Sequence, residues 1–501
     1  MTTATDPQVQ HYDLHYGGAW QKPLGGNRLE VRSPASRTLL ATVPDAGDAD
    51  VAAAAAAAQA GFETWRAIDP FERARHLRAL GELIRSRTGE LAELESAVTG
   101  RPIREMRAQM GRIPEWLDYF ASIALGLEGE SNQVKGGLVT LTHYEPLGVC
   151  ALLTPWNHPI LILVKKFAAA LAAGNTCLVK PSELAPVSTL LFAEWCREAG
   201  LPAGVINVVT GGGATGARIC AEPLVQRIDL TGGTATGRRV AAAAGERLVP
   251  CTLELGGKAP ILVFDDVDID EAAAGAAFAA FVASGQTCVS ATRFIVAAPI
   301  YERFLDALKR RAERLLVGDP ADPRTDMGPV ISAVSRARAN EHIAAATAEG
   351  ARLVSGGRPP DLPALFADGF YVAPTIFADV RPEMRLFREE VFGPVVAVTP
   401  FQDEAEALAL ANDSPFALGA AIWTRDVARA HRLAGKVKAG VVWINDHHKN
   451  DPRSIWGGHG ESGYGKENGW DALKSYLRKR SVVVRTNPGF DDWFGGGARY
   501  G

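Results

Sequence analysis

The chain has 501 residues, past the size at which a single hydrophobic core keeps growing, so two or more packed domains are expected. Apolar residues make up 47% and charged residues 22%, which excludes a disordered or fibrous chain. The 57 acids against 53 bases, a net charge of -4, leave no basic surplus for a polyanion, so nucleic-acid binding is not expected.

At the N-terminus, "MTTATDPQVQHYDLHYGGAW" has neither a basic n-region nor an apolar h-region, and no apolar run reaches membrane-spanning length. The expectation is a cytoplasmic protein that does not engage a membrane. From Val51 to Arg87 the sequence reads as helix: an alanine-rich start, then Ala74, Leu77, Leu80 and Ile84 on one face. "GLVTLTHYEPLG" (137 to 148) alternates apolar and polar residues as a strand does.

Beyond it, short apolar strands alternate with helices. Strands are predicted at 148–154, 176–180, 204–210, 227–230 and 251–255, with helical segments such as "PILILVKKFAAALAAG" between them. This order argues for βαβ units in a doubly wound parallel sheet. "KPSE" (180 to 183), "TGGG" (210 to 213) and "TGGTATG" (231 to 237) fall at the carboxyl ends of strands, where glycines let backbone amides approach a pyrophosphate. Each alone reads equally as a plain turn. A second α/β pattern follows Gly256, with strands "APILVF" and "ATRFIVAA" about a helix. The terminal "SVVVRT" (481 to 486) is a strand without a local hairpin partner, to be completed by another subunit or by a distant strand of its own chain.

Six cysteines, at 150, 177, 196, 220, 251 and 288, show no CxxC pair and no zinc-site spacing, so free thiols and no metal are expected. Cys288, in "ASGQTCVSATR", is then either a packing residue or a nucleophile.

Taken in order, "TPWNHP" (154 to 159), "KPSE", "TGGTATG", "LELGGK" (253 to 258), "GQTC" (285 to 288), "EEVFGPV" (389 to 395) and "WGGHGESGYGKENG" (456 to 469) resemble the NAD(P)-dependent aldehyde dehydrogenase superfamily, in its hydrolytic, non-acylating type. The resemblance runs from about Tyr16 to about Arg485. It implies an α/β fold in three parts: a Rossmann-like cofactor domain (1–124 and 147–255), a topologically related α/β catalytic domain (256–463), and a small β oligomerisation element (125–146 and 464–501). It also implies a homodimer or homotetramer.

The resemblance further implies that Cys288 attacks the aldehyde, giving a thiohemiacetal and then a thioester, and that Glu254 is the general base for hydrolysis. Asn157 would donate to the oxyanion together with the backbone N–H of Cys288. Read without the family, Glu254 would cap a turn and Asn157 a helix. Lys180 and Glu183 would meet the adenosine ribose, Gly233 and Thr234 the pyrophosphate, and Glu390 the nicotinamide ribose, with Phe392 against the ring region. Thr154, Pro155, Trp156, Ser182, Gly213, Thr231, Gly232 and Leu255 complete the cofactor-binding set. A carboxylate at the ribose favours NAD over NADP, partly offset by Lys180. Lys166 and Glu467 match a proton relay, or else are surface charges or a structural ion pair.

For the substrate, Leu161 and Lys165 follow Asn157 at helical spacing. A cation at Lys165 suggests a semialdehyde or another aldehyde with a polar or anionic group, unless it snorkels to solvent. Trp456 would be an aromatic wall, suited to a quaternary ammonium or to an aryl aldehyde; Lys165 argues against the cation. The loop "NDHHKNDPRSI" (445 to 455) reads as a solvated access loop rather than a metal site. Gly460 stands where the family commonly has a lysine. A CoA-acylating reaction is disfavoured by Glu254, and a catalytically silent relative by the retained Cys288 and Asn157.

Overall fold

In the computed structural model, described over residues 9–134, 136–488 and 492–497, the region from 51 to 87 is two helices rather than one. Asp48–Arg66 and Pro70–Ser86 are separate. Pro70 has no N–H to continue the first ladder, and Asp69 accepts from the Phe71 N–H at 2.8 Å, so the chain restarts there as a capped helix. Ala74, Leu77, Leu80 and Ile84 are all buried, as their spacing predicts.

The first large sheet runs, from edge to edge, Gly463–Tyr464, Cys251–Glu254, Val225–Thr231, Val149–Leu153, Thr176–Lys180, Ile206–Val208, Leu14–Tyr16 and Ala19–Gln21. Its five central strands are parallel. Val149–Leu153 and Thr176–Lys180 are buried throughout, which explains their unbroken apolar run: helices cover both faces of a parallel sheet. The second sheet orders Arg352–Ser355, Thr375–Ala378, Val395–Phe401, Ala291–Ala297, Ala259–Val263, Gly419–Trp423 and Val441–Ile444, parallel except at its first pair. Each sheet has its own apolar core, one around Phe167 and Leu171, another around Phe294 and Phe304.

The terminal strand, Leu477–Arg485, pairs antiparallel with Leu138–Pro146 of its own chain, and Glu130–Val134 completes a three-stranded sheet. It therefore needs no other subunit for its ladder. Gly463–Tyr464, beside the expected division at 463/464, adds an edge strand to the first sheet by pairing with Cys251–Glu254. The outermost parts of the expected divisions, 1–8 and 498–501, lie outside the described residues. Among the described residues no helix is long and apolar enough to cross a membrane.

Candidate active site

Strand order in the first sheet reverses between Val149–Leu153 and Val225–Thr231, the place where open α/β sheets leave a crevice at their carboxyl ends. Thr154 and Thr231 close these two strands, and the hydroxyl of each is buried with no hydrogen-bond partner among the described residues. Helix Thr234–Arg247 begins beside them with Gly233 at its N-cap and no side-chain cap. A methyl placed on Gly233 would meet nothing within 4 Å, so the space beside the N-cap is open, and the first N–H groups of the helix have no intrahelical acceptor. Free amides, a positive helix end and vacant space suit a pyrophosphate. The cradle fits a dinucleotide on this chain's own geometry.

The remaining predicted cofactor residues are ordered by local contacts. Lys180 stands 3.8 Å from Glu183 and donates to the Pro181 carbonyl at 2.9 Å; burial lowers its pKa. Thr154 N–H donates to the Lys180 carbonyl, tying the turn of Pro155 and Trp156 to that strand. Ser182 accepts from Leu184 N–H, and Gly213 opens helix Gly213–Ala221. Leu255 donates its N–H to Ser462 and packs where a side chain at Gly237 would collide. Glu390 accepts from Gly257 N–H at 2.8 Å and lies so close to Gly256 that a side chain there would displace the carboxylate; burial raises its carboxyl to about 7. Phe392, at φ 55°, meets Trp156 edge-on at 5.4 Å.

The loop carrying Cys288 is strained. Ala283, Ser284 and Gly285 take consecutive left-handed φ of 53°, 56° and 71°, costly for the two that carry side chains. Gln286 holds the turn, donating to Ala283 O at 3.2 Å and accepting from Ile331 N–H at 2.9 Å. Asn157 reaches across from the first sheet and donates to the Gln286 carbonyl at 2.8 Å. The N-cap of helix Pro159–Ala172 is His158, without a side-chain cap bond, so the capping role for Asn157 is overturned. Its second amide N–H is left for a ligand.

Glu254 ends its strand buried, with both carboxylate oxygens lacking a hydrogen-bond partner among the described residues, so it caps no turn. Burial, aided by the charge of Glu467, pushes its carboxyl up to about 8. Burial and the neighbouring Glu254 push the half-buried Cys288 thiol up to about 12. A cavity of about 370 Å³ brings Cys288, Glu254 and Thr231 together with Leu161, Lys165, Trp456 and Glu467.

Behind Glu254 lies a buried charge network. Lys166 pairs with both Asp229 and Glu467, and Lys165 pairs with Glu467 at 2.6 Å. For Glu467, burial alone would favour the neutral acid; the two lysines outweigh it and hold the carboxyl well below the usual range. These are not surface charges, since Lys165 and Glu467 side chains are each 4% exposed. Nor does Lys165 snorkel: its ammonium sits inside, 4.6 Å above the Trp456 ring. The stem is too deep in helix Pro159–Ala172 to reach solvent, and Glu467 supplies the countercharge that water would have supplied.

The aldehyde dehydrogenase family model matches residues 20–482. The chain belongs to the aldehyde dehydrogenase family. It is 41% identical over 479 residues to a betaine aldehyde dehydrogenase of Brucella melitensis biotype 2, covering 95% of this chain and 97% of that one. The solved structure of PnpE from Pseudomonas sp. WBC-3 superposes with a TM-score of 0.94 at 40% identity, covering 97% of this chain and 100% of that one. A betaine aldehyde dehydrogenase from Staphylococcus aureus, solved with NAD+ and a BME-modified cysteine, gives 0.94 at 35%, covering 96% and 99%. The mixed α/β fold with parallel sheets is the aldehyde dehydrogenase fold.

Other residues of this aldehyde dehydrogenase escape sequence reasoning. Arg101, 5% exposed at its side chain, donates to the Asn157 carbonyl at 3.2 Å and pairs with Glu105, which accepts from Ala283 N–H at 3.2 Å. One ion pair thus ties the Asn157 turn to the start of the Cys288 loop. Tyr476 donates to Asp229 at 2.7 Å, extending the charge network to the C-terminal segment. His447 is buried and, with His448, lines the cavity, so the 445–455 loop is not simply solvated. The paired histidines were the available signal for the last; nothing in "TGRPIREM" marks Arg101 or Glu105.

Proposed function

We propose that this chain oxidises an aldehyde to its carboxylic acid with NAD, through a cysteine thiohemiacetal and thioester. The observation that carries this reading is a buried, unpartnered carboxylate, Glu254, sharing one cavity with Cys288. Cys288 gives up its thiol proton to solvent water as Sγ bonds to the aldehyde carbon, and the oxyanion is met by the free amide N–H of Asn157 and the Cys288 backbone N–H. NAD, held by the Gly233 cradle, supplies the hydride acceptor. The acyl group remains on sulfur as a thioester. Glu254 then takes a proton from water as the water oxygen bonds to the acyl carbon and the thiol leaves. Glu254 returns that proton to the departing Cys288 sulfur, the stronger base, while Glu467, kept ionised by Lys165 and Lys166, assists through its charge, which raises the Glu254 carboxyl. Lys180 and Glu183 hold the adenosine ribose, Glu390 and Phe392 the nicotinamide end, and NAD is favoured over NADP by Glu183.

The substrate tail is polar or anionic rather than cationic. Relatives named for betaine aldehyde would favour a quaternary ammonium on an aromatic wall, but here the Trp456 face is already taken by Lys165. The chain is placed in the cytoplasm as a homo-oligomer, its three-stranded sheet being the oligomerisation element. Its parts divide as 1–124 with 147–255, 256–463, and 125–146 with 464–501. NADH absorbance with a panel of aldehydes, with and without coenzyme A, tests the activity: wild type produces NADH without coenzyme A, and Cys288→Ala does not. No signal from any aldehyde contradicts the reading.

A further inference from the structure

The 445–455 loop supplies two side chains that the oxidation itself leaves unused. His447 is 2% exposed and lines the cavity that holds Cys288. Its Nε2 lies 2.7 Å from the carbonyl oxygen of Val289, the residue after the nucleophile. A carbonyl only accepts, so the proton sits on Nε2 and Nδ1 is the bare acceptor of a neutral ring. That Nδ1 is buried and meets no donor among the described residues. A buried acceptor left without a donor costs free energy, and because His447 lines the Cys288 cavity, a donor on a molecule bound there would recover it. His448 likewise donates from Nε2 to a backbone carbonyl, Ala279 O at 3.1 Å, which leaves its Nδ1 as the acceptor. Burial drives His447 down to about 4 and His448 to about 3, so both remain neutral at physiological pH.

The loop is shaped to hold the rings there. Asn445 and His448 take left-handed φ of 52° and 61°, strain that a plain access loop has no reason to carry. Trp443 lies against His447 at 4.6 Å, and His448 stands edge-on to His447 at 4.7 Å and to Phe278 at 5.6 Å. Both Nε2 atoms are committed to backbone carbonyls, and no group of three or more His, Cys, Asp or Glu among the described residues is arranged to hold a metal. The pair is thus a fixed hydrogen-bond acceptor within a cavity walled by Trp456, Phe278 and Leu161.

We propose that His447 determines specificity by accepting a hydrogen bond from the substrate, so that the aldehyde oxidised here carries a hydroxyl group, with His448 as a second acceptor beside it. This rests on the aldehyde oxidation proposed above. A substrate without the donor leaves Nδ1 unpaired in a desolvated site and loses kcat/KM accordingly.

The test compares matched substrates: each hydroxybenzaldehyde isomer against its methoxy counterpart, and 4-hydroxybutanal against butanal, on wild type, His447→Phe and His447→Gln. The ratio of kcat/KM within a pair is the readout, because general damage to the fold or to Cys288 cancels from it. Wild type is expected to prefer at least one hydroxylated member by on the order of 10–100-fold. In His447→Phe that ratio falls at least several-fold, His448 keeping what remains. Gln keeps an N–H for Val289 and an acceptor oxygen, and restores most of it. A wild-type ratio of unity in every pair, or a preference unmoved by His447→Phe, overturns the proposal while leaving aldehyde oxidation standing. No oxidation of any member removes both.

Discussion

Around Cys288 two carboxylates meet opposite fates. Glu254 is desolvated without a partner and titrates high; Glu467 is equally desolvated but faces two lysines and titrates low. Environments that push two acids apart assign their roles, and Glu254 is the one poised to exchange a proton near neutral pH. Its working form is the deprotonated one, so the rate of thioester hydrolysis rises as pH climbs through about 8. Lys165 is among the cations that lower Glu254, so Lys165→Met moves this rise to higher pH, as stopped-flow or steady-state pH profiles would report. The same variant tests the tail of the substrate. Loss of kcat/KM for succinic semialdehyde should exceed that for butanal by about tenfold, the effect of one modest ionic contact; equal losses contradict an anionic preference.

The roles expected of Cys288, Glu254 and Asn157 come from ordered motifs that resemble a family, since the residues alone read as a packing thiol, a turn cap and a helix cap; the fold puts Cys288 and Glu254 on one cavity and Asn157 against the Gln286 carbonyl. Arg101 and Glu105 were not legible in the chain, since their meaning lies in contacts 56 and 178 residues away along it. The burial of Lys165 was also hidden: spacing placed it on the Asn157 face, but only the fold shows Glu467 waiting opposite it.

Among the elements, helix Thr234–Arg247 bears most directly on function. Gly233 has an ordinary φ of -76° and no neighbour where a methyl would go, so the apoprotein has no structural need for glycine there. Gly233→Ala is therefore expected to leave the melting temperature unchanged and to raise KM for NAD, because the methyl enters the pyrophosphate's place. A changed melting temperature with unchanged KM would mean that the cradle lies elsewhere. Element boundaries show what apolar pattern alone can carry. The strand expected at 481–486 is Leu477–Arg485, lengthened through "LRKR", whose side chains are mostly exposed; its extent is set by ladder pairing with Leu138–Pro146, which apolar content does not record. The helical region read from Val51 to Arg87 is divided at Asp69 and Pro70, where a cap and a missing N–H outweigh the periodicity.

At the scale of the whole molecule, the two large parallel sheets were foreseeable from the alternation of short apolar strands and helices. Their relation was not, because contacts such as Asn157 to Gln286 join segments remote in sequence. The three-stranded sheet leaves Val134, Val483 and Val484 exposed at 44%, 59% and 41%, apolar surface suited to a second copy. Sedimentation equilibrium should return two or four times the 53.3 kDa chain mass; a monomer at micromolar concentration contradicts the oligomer.

The central claim is that Cys288 and Glu254 divide the reaction between them, and Glu254→Gln tests it most directly. Mixed with NAD and an aldehyde that the wild type oxidises, this variant should release NADH in a burst equal to the enzyme concentration. It should then stall, and intact-mass analysis should find the acyl group on Cys288. Turnover at the wild-type rate, or no burst and no adduct, would contradict the account.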